Sequence, residues 1–252
     1  MIMSSPKWIS HRGESIDAPE NTLAAFKLAM ERNADGMETD IHFTADGKIV
    51  CGHDANTKRC CGVDSLIAET TFADLQKLDA CNGKAEYAGE KIPLFSDALK
   101  VLKPGKLFYV ELKIEVPELI PAMMAEIDAS GVSRDQIIVI SFYKEMIRKF
   151  KAAYPDVKAL WLTSFGKDDN GKFHPDFEEV MDILYDIKAD GIDAHGLIEF
   201  FDADFVLKLQ REGYQVAVWT IDTEEGARYY YDAKVDGITS NCAAKLMNQI
   251  KK

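Results

Sequence analysis

Short apolar runs alternate along this chain with stretches in which apolar residues recur every three or four positions. Strand-like runs fall at 8–10, 36–42, 107–112, 137–140, 157–162, 191–193, 215–219 and 235–238. Between them lie helical stripes: Leu23, Phe26 and Met30; Leu119, Met123 and Ile127; Met146 and Phe150; Phe177, Val180, Met181 and Leu184; Phe205 and Leu209. Strand and helix repeat about eight times in β-then-α order. That repeat predicts an α/β fold of the closed (β/α)8 TIM barrel type, ahead of an open doubly wound sheet.

One interval breaks the rhythm. Residues 54–92 hold no clean strand–helix unit, only a short helical stretch near Phe72 and scattered turn residues such as Gly62, Gly83 and Gly89. The spacing predicts a small insertion after the second barrel strand, with the scaffold resuming at Ile92-Pro93. An insertion there roofs the barrel mouth, because all βα loops emerge on that face. With no linker or repeat elsewhere, residues 1–252 read as one barrel domain.

Composition narrows the partners. At 47% hydrophobic and 29% charged, the chain is an ordinary globular protein, and no apolar run nears the ~18 residues that cross a bilayer. Acidic residues outnumber basic ones by 42 to 30, a net charge of -12 that argues against nucleic acid or anionic membrane as main partner. A small phosphate ester is still admissible, since one bound cation reverses the field within a cleft. The five cysteines, Cys51, Cys60, Cys61, Cys81 and Cys242, lack Cys-x-x-Cys spacing and read as reduced thiols, with Cys60-Cys61 the one adjacent pair. Together with an N-terminus lacking a basic region and apolar run, this predicts a cytoplasmic protein, although a processed precursor is compatible. Oligomeric state is not set by these features.

The chemistry concentrates near the N-terminus: His11-Arg12-Gly13, Pro19-Glu20-Asn21-Thr22, Glu38-Thr39-Asp40, Asp46-Gly47 and His53-Asp54. His11 follows the first strand, Glu38 and Asp40 lie late in the second, and Glu111-Leu112-Lys113 closes the third. All sit at carboxyl ends of strands, where barrel enzymes keep their active sites. On the second strand Met37, Thr39 and Ile41 alternate with Glu38 and Asp40, so the two acids share one face. Three carboxylates gathered there repel by up to ~4 kcal/mol per close pair at an effective dielectric near 20. A divalent cation with oxygen ligands, Mg²⁺ or Ca²⁺, offsets that repulsion; ion pairs with Arg12 and Lys113 are the plainer alternative.

The motif block closely resembles the glycerophosphodiester phosphodiesterase family, whose pattern runs His-Arg-Gly, Pro-Glu-Asn-Thr, Glu-x-Asp, Thr-x-Asp-Gly, His-Asp. Here it is met by His11 to Gly13, Pro19 to Thr22, Glu38 and Asp40, Thr44 to Gly47, and His53-Asp54; weaker matches at Arg59, Glu111 to Lys113, Trp219-Thr220 and Asp236 to Thr239 extend it over nearly the whole chain. The resemblance implies metal-dependent hydrolysis of small-molecule glycerophosphodiesters to sn-glycerol 3-phosphate and an alcohol. By that analogy Glu38, Asp40 and Glu111 bind one divalent cation, His11 and His53 form the acid/base pair, Arg12 and Lys113 contact phosphate, and Trp219 contacts substrate. Either water or the substrate's own 2-hydroxyl attacks, and either histidine is the acid.

Duller roles attach to the rest. Glu20 either reaches the site or, the favoured reading, belongs to a helix start capped by Asn21 or Thr22; Trp219 fits a core position as well as a substrate contact; His42, His174 and His195 are expected on the surface or in loops. Ser240-Asn241-Cys242 departs from the family's Thr-Asp-x-Pro after the last strand, Leu94 to Asp97 lack its glutamate, and Asp222 replaces its asparagine; all are expected away from the catalytic set. A lysophospholipase D or sphingomyelinase D-like activity would need an apolar patch that the sequence does not declare. A non-catalytic phosphodiester-binding barrel would not need both histidines.

Overall fold

The structure, a computed structural model, describes residues 5–169 and 171–251; residues 1–4, part of the stretch read for a signal, lie outside it. Eight parallel strands close into a barrel: β1 (Lys7–Ser10), β2 (Gly36–Phe43), β3 (Leu107–Leu112), β4 (Ile137–Ser141), β5 (Lys158–Thr163), β6 (Gly191–His195), β7 (Gln215–Trp219) and β8 (Gly237–Ser240). Each pairs with its sequence neighbours, and β8 pairs with β1 to complete the ring. The fold is the (β/α)8 barrel that the apolar rhythm predicts.

Period-two alternation sorts the strand residues into two cores. Outward-facing Trp8, Met37, Ile41, Phe108, Val110, Ile192 and Val216 pack against the helices through Phe26, Met123, Phe150, Leu184 and Leu209. Inward-facing Ile9, Tyr109, Ile138, Ile140, Leu160, Leu162 and Ala217 fill the barrel itself. The interior is too narrow for a side chain on every strand. A Cβ at Gly237 would lie 2.8 Å from the Tyr109 hydroxyl, so the glycine makes room for that ring.

Helix starts follow local side-chain chemistry. Thr22 caps the helix Leu23–Glu31 by accepting from the Ala25 amide, and Asp176 with Glu179 forms a capping box at Phe177–Ile187. Asp202 and Thr223 cap Ala203–Arg211 and Glu224–Asp232 in the same way.

The pattern misplaces several strand edges by one or two residues, and the start of the last strand has a clear cause. The last strand begins at Gly237 rather than Val235, because the Val235 amide bonds the Tyr230 carbonyl at the end of the preceding helix. Its apolar side chain is core, but its backbone is not in the sheet. A short strand, Ile49–Cys51, also escapes the pattern; it runs antiparallel to the far half of β2, pairing Ile41 with Cys51 and Phe43 with Ile49. Beyond it come the short helices Lys58–Cys61 and Phe72–Leu75 over a small cluster of Val50, Ile67, Leu75, Ala80 and Ile92. A two-stranded hairpin, Gly166–Lys167 with Phe173–His174, follows β5. Among the described residues no helix is long and apolar enough to cross a membrane.

Burial makes a stability test direct. Phe108 is fully buried, so Phe108→Ala is expected to lower the unfolding free energy by about 3–5 kcal/mol in urea titration. Tyr185, 82% exposed on the helix Phe177–Ile187, should shift it by no more than ~0.5 kcal/mol on the same substitution. Equal losses would mean the two-core assignment is wrong.

Candidate active site

Parallel pairing of β2 with β3 sets Asp40 directly opposite Glu111, and the pleat puts Glu38 on the same inward face. One oxygen from each of Glu38, Asp40 and Glu111 lies within 4.8 Å of the others, and all three residues are buried. Two cations border the cluster. The Lys113 ammonium is 3.0 Å from Glu111 and 3.5 Å from Asp40, and the Arg12 guanidinium Nε is 3.3 Å from Asp40. The ion pairs expected as the plainer alternative are therefore present beside the acidic cluster. Two buried atoms of the cluster still lack a hydrogen-bond partner, Arg12 Nε and Asp40 Oδ1, the latter facing the Lys113 ammonium at 3.5 Å.

The charge balance divides the acids. Burial pushes Glu111 up to about 8, aided by the neighbouring Asp40, and pushes Glu38 well above the usual carboxylate range for the same two reasons. Burial would raise Asp40 too, but Arg12 and Lys113 hold it below that range. Asparagine supports the ionised form: Asn21 Nδ2 donates to Asp40 Oδ2 at 2.8 Å, while Asn21 Oδ1 accepts from Thr39 at 2.7 Å. Thr22, not Asn21, is the helix cap, so Asn21 is free to serve the site. An all-oxygen set with an unsatisfied buried oxygen suits a hard dication.

The His-Arg-Gly turn is built by its glycine. Gly13 has φ +80°, and a Cβ there would sit 2.5 Å from the Ala25 backbone, so only glycine lets the turn press onto the helix Leu23–Glu31. The turn aims the Arg12 amide at Glu38 Oε2, 2.8 Å away, and brings His11 Nε2 to 3.9 Å from the same oxygen. His11 Nδ1 meets Asn241 Oδ1 at 2.8 Å. Because Asn241 Nδ2 donates to Asp222 at 2.6 Å, its oxygen must face His11, which places the imidazole proton on Nδ1. Burial, then Arg12, pushes His11 down to about 4, so it is neutral at neutral pH.

Asn241 and Asp222 are thus not remote, as their departure from the family pattern suggested. They are the orienting chain of His11. The signal was there, since the loop after a last barrel strand opens on the mouth, but neither residue is chemically conspicuous.

His53 is oriented from the other side. Its Nδ1 bonds Asp54 at 2.7 Å, and Asp54 accepts from Arg59 Nε at 2.6 Å. Arg59 also holds Glu20 at 2.6 and 2.8 Å, and Glu20 accepts from Arg12 at 2.9 Å, so one ionic chain links both histidine loops. Glu20 is more than a helix-start residue. His42 is likewise no surface residue: it is buried on β2, its Nε2 3.3 Å from the His53 carbonyl. His195 packs beside Trp219 with ring centres 5.0 Å apart, whereas exposed His174 pairs with Glu179. The five cysteines are free thiols, and burial pushes Cys60 and Cys61 up to about 12 and 11, far from reactive thiolate.

These groups border a cavity of about 130 Å³. His11, Arg12, Glu38, His53, Glu111, Lys113 and Trp219 all line it, and of the expected site residues only Asp40 sits behind the wall. The Trp219 ring meets Phe142 edge-on at 5.6 Å and anchors its indole N–H to the Asp193 carbonyl at 3.1 Å. Ile140 and Leu162 complete an apolar flank opposite the acids, with Asp193 and Thr239 at the remaining side.

Residues 11–245 match the profile of the glycerophosphoryl diester phosphodiesterase family. The chain is 29% identical to a glycerophosphodiester phosphodiesterase of Caldanaerobacter subterraneus subsp. tengcongensis, over 97% of each. It is also 29% identical to glycerophosphodiester phosphodiesterase 1 of Bos taurus, over 88% of this chain and 73% of that one. Among solved structures, an Oleispira antarctica phosphodiesterase in complex with the product sn-glycerol-3-phosphate superposes with a TM-score of 0.86 at 28% identity, covering 98% of both chains. A profile matched across nearly the full length, on a barrel of the same shape, means that this chain belongs to the glycerophosphoryl diester phosphodiesterase family.

Proposed function

We propose that this chain hydrolyses glycerophosphodiesters to sn-glycerol 3-phosphate and an alcohol, with Glu38, Asp40 and Glu111 holding one divalent cation, Mg²⁺ or Ca²⁺. The observation that carries the reading is the trio of buried carboxylates within 4.8 Å, of which Glu38 and Glu111 line one cavity with two imidazoles that each have a dedicated orienting partner. The activity in the names of the related proteins agrees with it. When bound, a dication there supplies positive charge to the phosphoryl oxygens.

The chain's own groups divide the proton work. His11, neutral and with its Nδ1–H committed to Asn241, takes the proton of the attacking hydroxyl on Nε2. That hydroxyl belongs to water, which gives sn-glycerol 3-phosphate directly, or to the substrate's glycerol 2-position, which gives a cyclic phosphate that a water then opens to the same product. As the new O–P bond forms, the P–O bond to the alcohol breaks, and His53 gives a proton to the departing oxygen. Asp54 holds the His53 ring through Nδ1, which leaves Nε2 as the nitrogen for this role. Arg12 and Lys113 face the phosphate oxygens from either side of the carboxylates, and Trp219 closes the apolar flank. We also read 54–92 as an insertion that carries Arg59 to the site, within one domain spanning the chain.

A second reading has one observation in its favour. Val116, Phe142, Tyr143, Phe173, Leu197 and Ile198 are exposed large apolar residues, and all lie on loops after β3, β4, β5 and β6, around the cavity mouth. Such a collar suits an acyl chain on a lysophospholipid. Choline release from lysophosphatidylcholine, set beside glycerophosphocholine, separates the two: faster turnover of the lipid would replace the first reading with the second.

Stripping with EDTA is expected to abolish glycerol 3-phosphate release from glycerophosphocholine, and Mg²⁺ or Ca²⁺ to restore it in the native chain but not in Asp40→Asn; activity that survives exhaustive stripping ends the metal assignment. His11→Ala and His53→Ala should each lower kcat at least ~10²-fold. With a p-nitrophenyl leaving group, which departs without a proton, His53→Ala should recover most of the rate and His11→Ala should not; the reverse pattern exchanges their roles. Asn241→Ala should reduce kcat by at least ~10-fold with KM little changed, through loss of the His11 tautomer. Wild-type kcat in that variant means Asn241 is only structural.

A further inference from the structure

Two buried polar groups of the cavity take no part in the chemistry above. Asp193, on the inward face of β6, is 1% exposed, and its Oδ1 has no hydrogen-bond partner. Thr239, on β8, is 2% exposed, and its Oγ1 is likewise unpartnered. Both line the cavity that holds His11, Glu38 and Lys113. Asp193 lies outside the family-like motifs and Thr239 ends one of their weaker matches, and neither touches a cation: the ion pairs of the cavity run to Glu38, Asp40 and Glu111 instead.

Unpaired buried polar groups are rare because removing them from water without a replacement bond is unfavourable. A leucine at 193 would satisfy the apolar surroundings supplied by Leu162 and Ile140 without that penalty. An orphaned carboxyl and hydroxyl facing the same cavity are what a site needs for a ligand that brings its own hydroxyls. The backbone carbonyl of Asp193 already holds the Trp219 indole, so the carboxyl is fixed beside an aromatic face. A three-carbon polyol has this character, with a C–H face for the ring and O–H groups for the polar pair.

We propose that Asp193 and Thr239 form the subsite that binds the free hydroxyls of the substrate's glycerol, making them the residues that distinguish a glycerol ester of phosphate from a plain alkyl ester. The inference rests on the phosphodiesterase reading and adds to it the origin of glycerol selectivity. Burial pushes Asp193 up to about 8, so at neutral pH its carboxyl offers both a donor and an acceptor to a hydroxyl and adds no negative charge near the phosphate. Sites built to bond a substrate hydroxyl reject analogues that lack it by large factors, because their own polar groups are then left unpaired.

The test compares two ligands with the same carbon skeleton, sn-glycerol 3-phosphate and propyl phosphate, by calorimetry on the full chain, alongside thermal melts. The native protein should bind the glycerol ester at least ~10-fold more tightly, the scale of a well-placed hydrogen bond or two. In Asp193→Leu and in the isosteric Thr239→Val that preference should fall to within ~3-fold, while Asp193→Asn, which keeps a donor and an acceptor, retains it. Asp193→Leu should also melt at a higher temperature than the native chain, which a purely structural aspartate would not allow. Release of glycerol 3-phosphate from glycerophosphocholine by the native chain, with the preference unchanged in the Leu and Val variants, overturns the subsite alone. No release by the native chain overturns the phosphodiesterase reading and the subsite with it.

Discussion

Crowding of like charge governs this site. Strand register leaves no choice about it: Asp40 and Glu111 are cross-strand partners, and Glu38 is two residues along the same inward face. Left to themselves, three buried carboxylates would be strongly unfavourable. Arg12 and Lys113 resolve part of the problem by pairing with Asp40 and Glu111, and the remaining charge is spread unevenly, with Asp40 held ionised and Glu38 and Glu111 driven toward the protonated form. Asp40 Oδ1, 3.5 Å from the Lys113 ammonium, is left buried without a hydrogen bond.

From that constraint the surrounding architecture follows. Arg12 reaches Asp40 only because the His-Arg-Gly turn is pressed onto the first helix by a glycine that no other residue can replace. The same turn carries His11 to Glu38, so the guanidinium and the imidazole are delivered together. On the opposite side Arg59 and Glu20 tie the segment after Ile49–Cys51 to the first loop, and through Asp54 they orient His53. Each imidazole therefore has one nitrogen committed to an orienting group, the arrangement that acid/base work requires. The two orienters differ in kind. A neutral amide backs His11 and a carboxylate backs His53.

The barrel contributes rigidity and depth. Its interior is filled on one side by Ile140 and Leu162 and closed by Trp219, which leaves a compact cavity rather than an open groove. Exposed apolar residues collect on the loops above it, while the helices on the outside show the charged faces that accompany a net charge of -12. The local field at the cavity is thus set by a few buried pairs and not by the overall acidity of the molecule.

Much of this was legible before any coordinates. Apolar periodicity determined the eightfold strand–helix alternation, because burial on two faces of a strand and one face of a helix leaves a period in the residues themselves. Alternation on β2 likewise put Glu38 and Asp40 on one face, and the position of the first motif placed His11 at a strand end, whereas His53 was joined to it only through the family resemblance. Other parts depended on contacts between residues far apart in the chain. Asn241 and Asp222 look like departures from a pattern until the closing of β8 onto β1 brings them beside His11; Glu20 looks like helix-start material until Arg59 arrives from 39 residues away. His42, Asp193 and Thr239 carry no local mark that separates a buried polar residue from a surface one. Local periodicity encodes which face of an element is apolar, but partners and orphaned groups are properties of the closed barrel, decided only when distant segments exclude water from between them.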